Sequence, residues 1–195
     1  TKLDYCISEM DASSKSYTAK PTYLSKRFVS FTQETVVFCG AGAHAFAWRE
    51  WDADDVLTAE GCFTDEGVLD LIDDLRQARI GLDEGHMYVE PTRALVAVDV
   101  NTGRDTSPAA ALKVNLAAAR MLPRALRLRG LGGQVTVDFA PMPKGQRKQI
   151  EQSLRGSFRN DPIETSLVGW TPMGCFELQR KRERGPTVDL IGAAT

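Results

Sequence analysis

The stretch that decides the fold runs Val89-Glu90-Pro91-Thr92-Arg93-Ala94-Leu95-Val96-Ala97-Val98-Asp99-Val100-Asn101-Thr102-Gly103. Its small and β-branched residues predict a strand that delivers the carboxylate of Asp99 and the carboxamide of Asn101 at its end. Further along, Gly132-Gly133-Gln134-Val135-Thr136-Val137-Asp138-Phe139 repeats the pattern. A lone buried carboxylate is heavily penalised unless it binds a cation. Two strands that each end in Asp therefore predict a shared divalent-cation site.

A helix is predicted between these two strands. Ser107-Pro108 combines a side-chain cap with a proline at the first helical position. Apolar residues recur at helical spacing after it, and Gly130 ends the helix, with a kink or a restart expected at Pro123. Strand, helix and strand in this order form a βαβ unit with parallel strands. Asp99 and Asp138 are then expected together at the carboxyl edge of the sheet.

The ligand chemistry of this pair favours Mg²⁺, for which Mn²⁺ can substitute. Carboxylate oxygens without a thiolate partner suit these hard cations better than zinc, so no zinc site is expected. Asn101 stands beside the pair as a third polar side chain. A structural alternative stays open, in which each Asp only caps a strand end or forms a turn.

Charge is distributed unevenly along the chain. Residues 1–99 contain 9 Lys/Arg and 18 Asp/Glu, whereas residues 100–195 contain 15 and 8, within a formal net charge of −2. The basic half also holds the predicted metal carboxylates, an arrangement that suits a polyanionic substrate. Charge runs are often only solvated helix faces, but three basic clusters in the half that holds the paired Asp residues favour nucleic acid as the partner. The residues that we expect to contact the nucleic acid are Arg120, Arg124, Arg127, Arg129, Lys144, Lys148, Arg180 and Arg182.

Cysteine spacing and hydropathy limit the classes of protein to which this chain can belong. Cys6, Cys39, Cys62 and Cys175 are isolated in the sequence, which indicates neither a zinc knuckle nor a disulfide framework and fits a reducing cytoplasm. No apolar run is long enough for a membrane span, so no membrane partner is expected. The two histidines, His44 and His86, are interpreted as surface or packing residues.

Other elements follow from periodicity and turn signals. Residues 65–79 predict an amphipathic helix, and 87–91 with 93–100 predict a hairpin or a bent strand. Residues 144–159 predict a second helix with Ile150, Leu154 and Phe158 as its buried stripe. Strands are predicted over 163–169 and 175–181, with a turn between them, and further strands over 28–39 and 45–51.

The same residues resemble a known family, the ribonuclease E/G family. The motifs that carry the resemblance are Glu90-Pro91-Thr92-Arg93-Ala94, Val98-Asp99-Val100-Asn101-Thr102-Gly103, Asn115-Leu116, Pro123 to Gly133, Val137-Asp138-Phe139 with Met142, and Gly174 to Arg182. The resemblance is dense over residues 43–184 and closest to the short ribonuclease E/G-like proteins of alphaproteobacteria.

This resemblance implies a fold and an activity. The fold class is α+β, a DNase I-like subdomain in which the βαβ unit places two Asp at adjacent strand ends. The activity is a Mg²⁺-dependent endoribonuclease that cuts single-stranded RNA, in RNA processing and decay, and leaves 5′-phosphate and 3′-hydroxyl ends. Asp99 and Asp138 are the metal ligands and, with the orienting Asn101, the catalytic residues. The domains are then an unassigned segment 1–42, a catalytic region 43–184 and a tail 185–195.

The sequence also departs from the family. The oligonucleotide-binding-fold domain, the pocket that senses the 5′-phosphate and the zinc-sharing cysteine motif of long members are not found in these 195 residues. We therefore expect a fragment, or a truncated or aberrant reading, of a longer gene, and a homo-oligomer is left open. Two hypotheses follow: a catalytic endoribonuclease region, and a non-catalytic RNA-binding or scaffold protein derived from the family. Retention of Asp99, Asn101 and Asp138 together favours the first.

Overall fold

The structure, a computed structural model, describes residues 36–37, 56–57, 65, 68–183 and 185–192. The strand predicted over 45–51 lies outside these residues, as does most of segment 1–42. Contacts divide the chain into two compact units, one of Gln77–Asp189 and one of Thr1–Arg76 with Leu190–Thr195. No helix in the described ranges combines the length and the apolar character that a membrane crossing requires.

Three elements of the first unit are described. Strands β1 (Val36–Val37) and β2 (Val56–Leu57) pair in parallel. Helix α1 covers Val68–Asp74, which is shorter than the helix predicted over 65–79. The predicted helix was too long at its C-terminal end, because Arg79 already begins a strand of the second unit.

The second unit is built on a six-stranded mixed sheet. Its strands are β3 (Arg79–Leu82), β4 (Gly85–Pro91), β5 (Val96–Thr102), β6 (Gly133–Asp138), β7 (Thr165–Trp170) and β8 (Phe176–Arg180). Their order across the sheet is β3-β4-β5-β6-β8-β7, and only β5 and β6 are parallel neighbours within it. The class is mixed α+β, and the predicted hairpin is β4–β5.

The crossover between β5 and β6 is helix α2 (Pro108–Arg129). Ser107 caps it as predicted, since its hydroxyl accepts a hydrogen bond from the Ala110 N–H at 3.2 Å. The helix runs unbroken across Pro123, so the chain does not restart there, and the kink that was the other expectation stays a prediction. It ends at Gly130, whose φ of 65° is a left-handed conformation that glycine adopts at little cost.

Beyond β6 the chain forms a 3-10 turn, Lys144–Gln146, and then helix α3 (Arg147–Arg159). The hairpin β7–β8 follows, with a bulge between Leu167 and Gly169, where Gly169 has a φ of +132°. Helix α4 (Thr187–Gly192) closes the described part of the chain.

The core lies between the two long helices and one face of the sheet. It joins valines of β5 and β6, such as Val98 and Val137, to Leu122 of α2 and Leu154 of α3. The predicted stripe of α3 is confirmed, since Ile150, Leu154 and Phe158 are all buried. Because side chains alternate along a strand, the residues between the buried ones project from the other face, which we call the polar face. It holds Asp99, Asn101, Thr136, Asp138 and Glu177, all exposed or half-buried.

Candidate active site

The polar face brings the two predicted metal ligands into register. Asp99 of β5 is the direct partner of Asp138 in β6 across the parallel pair. Neighbouring strands lie about 4.8 Å apart, and opposed residues project from the same face. The two carboxylates therefore share one patch of exposed surface.

The two aspartates differ in their position along the strands. Asp138 is the last residue of β6, as predicted. Asp99 is followed by three further strand residues, because β5 continues to pair with β4 as far as Thr102 opposite Gly85. The parallel ladder itself ends at the Asp99–Asp138 pair. Only one of the two carboxylates therefore stands at a strand end, while both stand where the ladder ends.

Asn101 holds the Asp99 carboxylate directly. Its Nδ2 donates a hydrogen bond of 2.8 Å to Oδ2 of Asp99. The two residues are two positions apart on one strand, so they lie on the same face. This contact fixes one carboxylate oxygen and leaves the lone pairs of the other oxygen available to a cation.

Strand β4 places two rings beside this group that the sequence analysis did not assign to the site. Tyr88 is the Cα partner of Asp99, and His86 is the Cα partner of Asn101. Their rings meet edge to face with centroids 5.3 Å apart. The alternation of His86 and Tyr88 with the buried Met87 could have revealed them, because it assigns both to the polar face.

The polar face is acidic around Asp138. Val137 pairs with Phe176, so Cys175 comes next to Asp138 across the β6–β8 pair. The pKa of the Cys175 thiol is raised, first by burial and then by the negative charges of Asp138 and Glu177. The thiol is therefore protonated at neutral pH and adds no charge of its own beside Asp138.

The residue after Asp138 is anchored in an aromatic cluster. Phe139 packs against Trp170 with ring centroids 5.8 Å apart. The guanidinium of Arg147 lies over the Trp170 ring, 4.7 Å from its centroid, and Glu151 accepts a 2.6 Å hydrogen bond from the indole N–H. Arg147 was not among the predicted site residues. Through Trp170, this cation–π contact adjoins Phe139, the residue that follows β6.

The donor set suits a hard cation that keeps most of its own water. Within the described residues, no three His, Cys, Asp or Glu side chains gather into a metal-binding group. The site consists of two exposed carboxylates, one of them oriented by an amide. Mg²⁺ is commonly bound through one or two carboxylates, with the remaining positions taken by water or substrate phosphate.

The predicted RNA-binding residues of α2 do not share the polar face. Helix α2 packs on the valine face of the sheet, so its arginines belong to the layer behind the aspartates. Arg120 is exposed there and Arg124 is half-buried. Arg127 donates to Asp161 at 2.7 Å, and the side chain of Asp161 is fully buried. Arg127 therefore balances an interior charge.

Two further arginines of the predicted set are interior residues. Arg180 has no exposed side-chain surface; it donates to Asp161 at 2.8 Å and to Thr165 at 2.9 Å. Burial lowers the pKa of this guanidinium, and Asp161 acts in the opposite direction. Arg129 is 9% exposed and donates to the Gln77 carbonyl at 3.0 Å. Arg180 is thus wholly buried and Arg129 nearly so.

Three predicted cations remain on the surface outside α2. Lys144 opens the 3-10 turn that follows β6, and Lys148 lies on the first turn of α3. Both are exposed, and both lie on the segment that leaves the sheet at the Asp138 end. Arg182 is also exposed and makes a long contact of 3.4 Å with the Gly132 carbonyl.

Comparison with known proteins shows where this architecture belongs. Residues 52–183 match the model of the ribonuclease E/G family, so the chain belongs to that family. It is 34% identical over 109 residues to ribonuclease G of Salmonella typhimurium, a match that covers 51% of this chain and 22% of that protein. It is 34% identical over 113 residues to ribonuclease E of Nostoc sp. PCC 7120, covering 55% and 16%.

A third relative, ribonuclease E of Haemophilus influenzae, is 35% identical over 103 residues, covering 50% of this chain and 11% of that protein. The chain thus spans about a fifth or less of the length of these curated relatives.

Proposed function

We propose that this chain is a metal-dependent endoribonuclease, or the catalytic part of one, that cleaves single-stranded RNA to 5′-phosphate and 3′-hydroxyl ends. The observation that carries the proposal is the register of Asp99 with Asp138 on the exposed face of the sheet, with Asn101 bonded to Asp99. A chain of the ribonuclease E/G family that only bound RNA would gain nothing from two adjacent like charges, which repel each other and the RNA.

Asp99 and Asp138 would hold Mg²⁺, for which Mn²⁺ can substitute. The cation would supply positive charge that polarises the scissile phosphate and lowers the pKa of a water molecule. Asn101 would hold the Asp99 carboxylate in place through the 2.8 Å hydrogen bond. Attack of the water oxygen on phosphorus would break the bond to the 3′-oxygen. The water would lose a proton and the 3′-oxygen would take one up, leaving as the 3′-hydroxyl, while the phosphate stays on the 5′-oxygen.

The RNA would cross the polar face at the end of the sheet where Lys144 and Lys148 lie. These two lysines supply counter-charge for the backbone at a site whose own side chains are acidic. Tyr88 and His86 stand beside Asp99 and Asn101, and such rings can stack on unpaired bases. We place the activity in cytoplasmic RNA processing and decay, with a homo-oligomer left open.

The decisive experiment compares wild type with Asp138→Asn on a fluorescein-labelled single-stranded RNA. The substitution keeps the shape of the side chain and removes the charge that the metal needs. Cleavage is expected in Mg²⁺, loss of cleavage in EDTA, recovery on added Mg²⁺, and a loss of several orders of magnitude in the variant. Cleavage by Asp138→Asn at the wild-type rate would overturn the proposal.

Two controls make this result interpretable. Asn101→Ala removes an orienting contact rather than a ligand, so its loss should be smaller, about 10–100-fold. Direct Mn²⁺ titration separates binding from turnover. RNA binding with no Mn²⁺ bound between the aspartates would favour the non-catalytic RNA-binding or scaffold alternative instead.

A further inference from the structure

One buried amide connects helix α2 to the segment that leaves the candidate site. Asn115 lies on α2 with no exposed surface, among residues of the hydrophobic core. Its Nδ2 donates to the Ala140 carbonyl at 2.9 Å, and its Oδ1 accepts from the Ala140 N–H, also at 2.9 Å. Both polar atoms of the side chain therefore bond to the backbone of one residue.

Burial of this amide is unfavourable unless its hydrogen bonds form, and those bonds fix the backbone of one residue, Ala140. A buried carboxamide without partners is strongly unfavourable, so the helix accepts this residue only because both bonds form. A two-point contact fixes the orientation of the Ala140 peptide groups as well as their position. A single hydrogen bond would leave rotation free.

Ala140 is two residues beyond Asp138, and strand β6 ends at Asp138. Between them stands Phe139, which packs against Trp170. On the far side the thioether of Met142 lies 3.6 Å from the same Asn115 nitrogen. The backbone that carries the Asp138 carboxylate is thus held by the β-ladder before it and by the Asn115 amide after it.

We propose that Asn115 is a positioning residue for the metal site: its two bonds to Ala140 fix the exit of β6 and so hold the Asp138 carboxylate opposite Asp99. The inference rests on the proposed function, because it assigns Asn115 to the same two-carboxylate site. Asn115 touches neither the metal nor the RNA and acts only through Asp138.

The test is Mn²⁺ affinity of the full chain, measured from the electron paramagnetic resonance signal of the free ion. Asn115→Leu replaces the amide with an apolar group of similar size and removes both bonds. We expect about tenfold weaker Mn²⁺ binding, at the lower end of the range for outer contacts of metal ligands.

Asn115→Asp should retain more affinity than the Leu variant. A carboxyl group buried beside a carbonyl oxygen favours its protonated form, which can donate to the Ala140 carbonyl and accept from the Ala140 N–H. Rescue of this kind distinguishes the two-bond geometry from mere occupancy of the space.

A matched control exists elsewhere in the same unit. Thr187 is 1% exposed, and its hydroxyl donates to the Leu128 carbonyl at 2.7 Å, near the C-terminal end of α2. Thr187→Val removes a buried hydrogen bond without touching β6, so it should leave the Mn²⁺ affinity at the wild-type value.

The outcomes separate this inference from the proposed function. If wild type binds Mn²⁺ and Asn115→Leu binds it as well as Thr187→Val does, the positioning role is overturned while the proposed metal site stands. If wild type binds no Mn²⁺, the metal site fails and the inference fails with it.

A measurement on the wild type covers the case in which the Asn115 variants do not fold. The Ala140 amide lies outside the β-ladder and yet should exchange its hydrogen slowly, because Asn115 holds it in the interior. Exchange as fast as in an unstructured peptide would mean that the two-bond contact does not persist in solution and would overturn the inference.

Discussion

Two groups of charged residues in the second unit differ in exposure and in how their charge is balanced. Asp99 and Asp138 carry like charges, stand side by side and are exposed. Asp161 and Arg180 carry opposite charges and have no exposed side-chain surface, and Arg127 completes their network from the rim. The first group presents two negative charges that a cation could neutralise, whereas the second is neutralised within the fold. We therefore expect the exposed pair to serve function and the buried network to serve stability.

The largest effect should come from the exposed pair. Asp99→Asn and Asp138→Asn should each reduce RNA cleavage by orders of magnitude, and the double variant should be little worse, because the two act as one metal site. The melting temperature should not fall, since each substitution removes a charge that repels the neighbouring carboxylate. Cleavage rates and melting curves of the three variants test this. Additive losses would indicate two independent roles.

A substitution in the buried network should reduce stability and leave metal binding unchanged. Asp161→Asn leaves Arg180 in the interior without its carboxylate, and the expected loss of unfolding free energy is about 3–5 kcal/mol. Urea denaturation measures the loss, while Mn²⁺ affinity of the remaining folded protein should be unchanged.

The exposed ion pair of Lys113 with Glu84, at 3.2 Å, provides the control for the Asp161 substitution. Lys113→Ala should change the free energy of unfolding by no more than about 1 kcal/mol. A loss from Asp161→Asn as small as this one would remove the distinction between the two groups.

A smaller effect should separate the segment after β6, which holds Lys144 and Lys148, from helix α2 in RNA binding. Replacing both Lys144 and Lys148 by Ala should weaken binding to all single-stranded RNAs alike. It should also flatten the dependence of log affinity on log salt by about 1.4, since each phosphate contact contributes about 0.7. Arg120→Ala, on helix α2, should leave the slope as it is. Fluorescence anisotropy across a salt series measures both slopes, and the reverse result would place the RNA on α2.

The smallest effect concerns Cys175. Because its pKa is raised, its thiolate is scarcer than that of a free cysteine at any pH below the pKa, and alkylation by iodoacetamide should be slow. Asp138→Asn removes one of the charges that raise this pKa, so site-resolved mass spectrometry at pH 8 should find a modest acceleration. Burial, the larger cause, is unchanged by the substitution. An unaltered rate would mean that Asp138 and Cys175 are farther apart than the register implies.

Much of the central unit could be predicted because its signals are local. The cap at Ser107, the left-handed Gly130 and the valine alternation of β5 and β6 are each decided by neighbours in sequence. The parallel pairing then follows from the helix that joins the strands. Strand β3 escaped prediction because it is short, and the periodic helix pattern before it was extended too far.

Charge alone could not predict which arginines are buried and which are exposed. Arg180 shares the alternation of Phe176 and Leu178, which does assign it to the buried face, but an arginine there requires Asp161 from elsewhere in the chain. Asn115 poses the same difficulty, since its partner is a backbone group 25 residues away. Buried polar residues are explained by distant partners, and periodicity carries no information about those.

Strand β7 closes the described sheet on one side, and its bulge has a consequence for assembly. A strand that added to this margin, from this chain or from another copy, would have to accommodate the irregular step between Leu167 and Gly169. With φ at +132°, Gly169 holds a conformation that other residues rarely adopt. Replacing it by valine would favour a straighter strand, and a straight outer strand is the kind that aggregates.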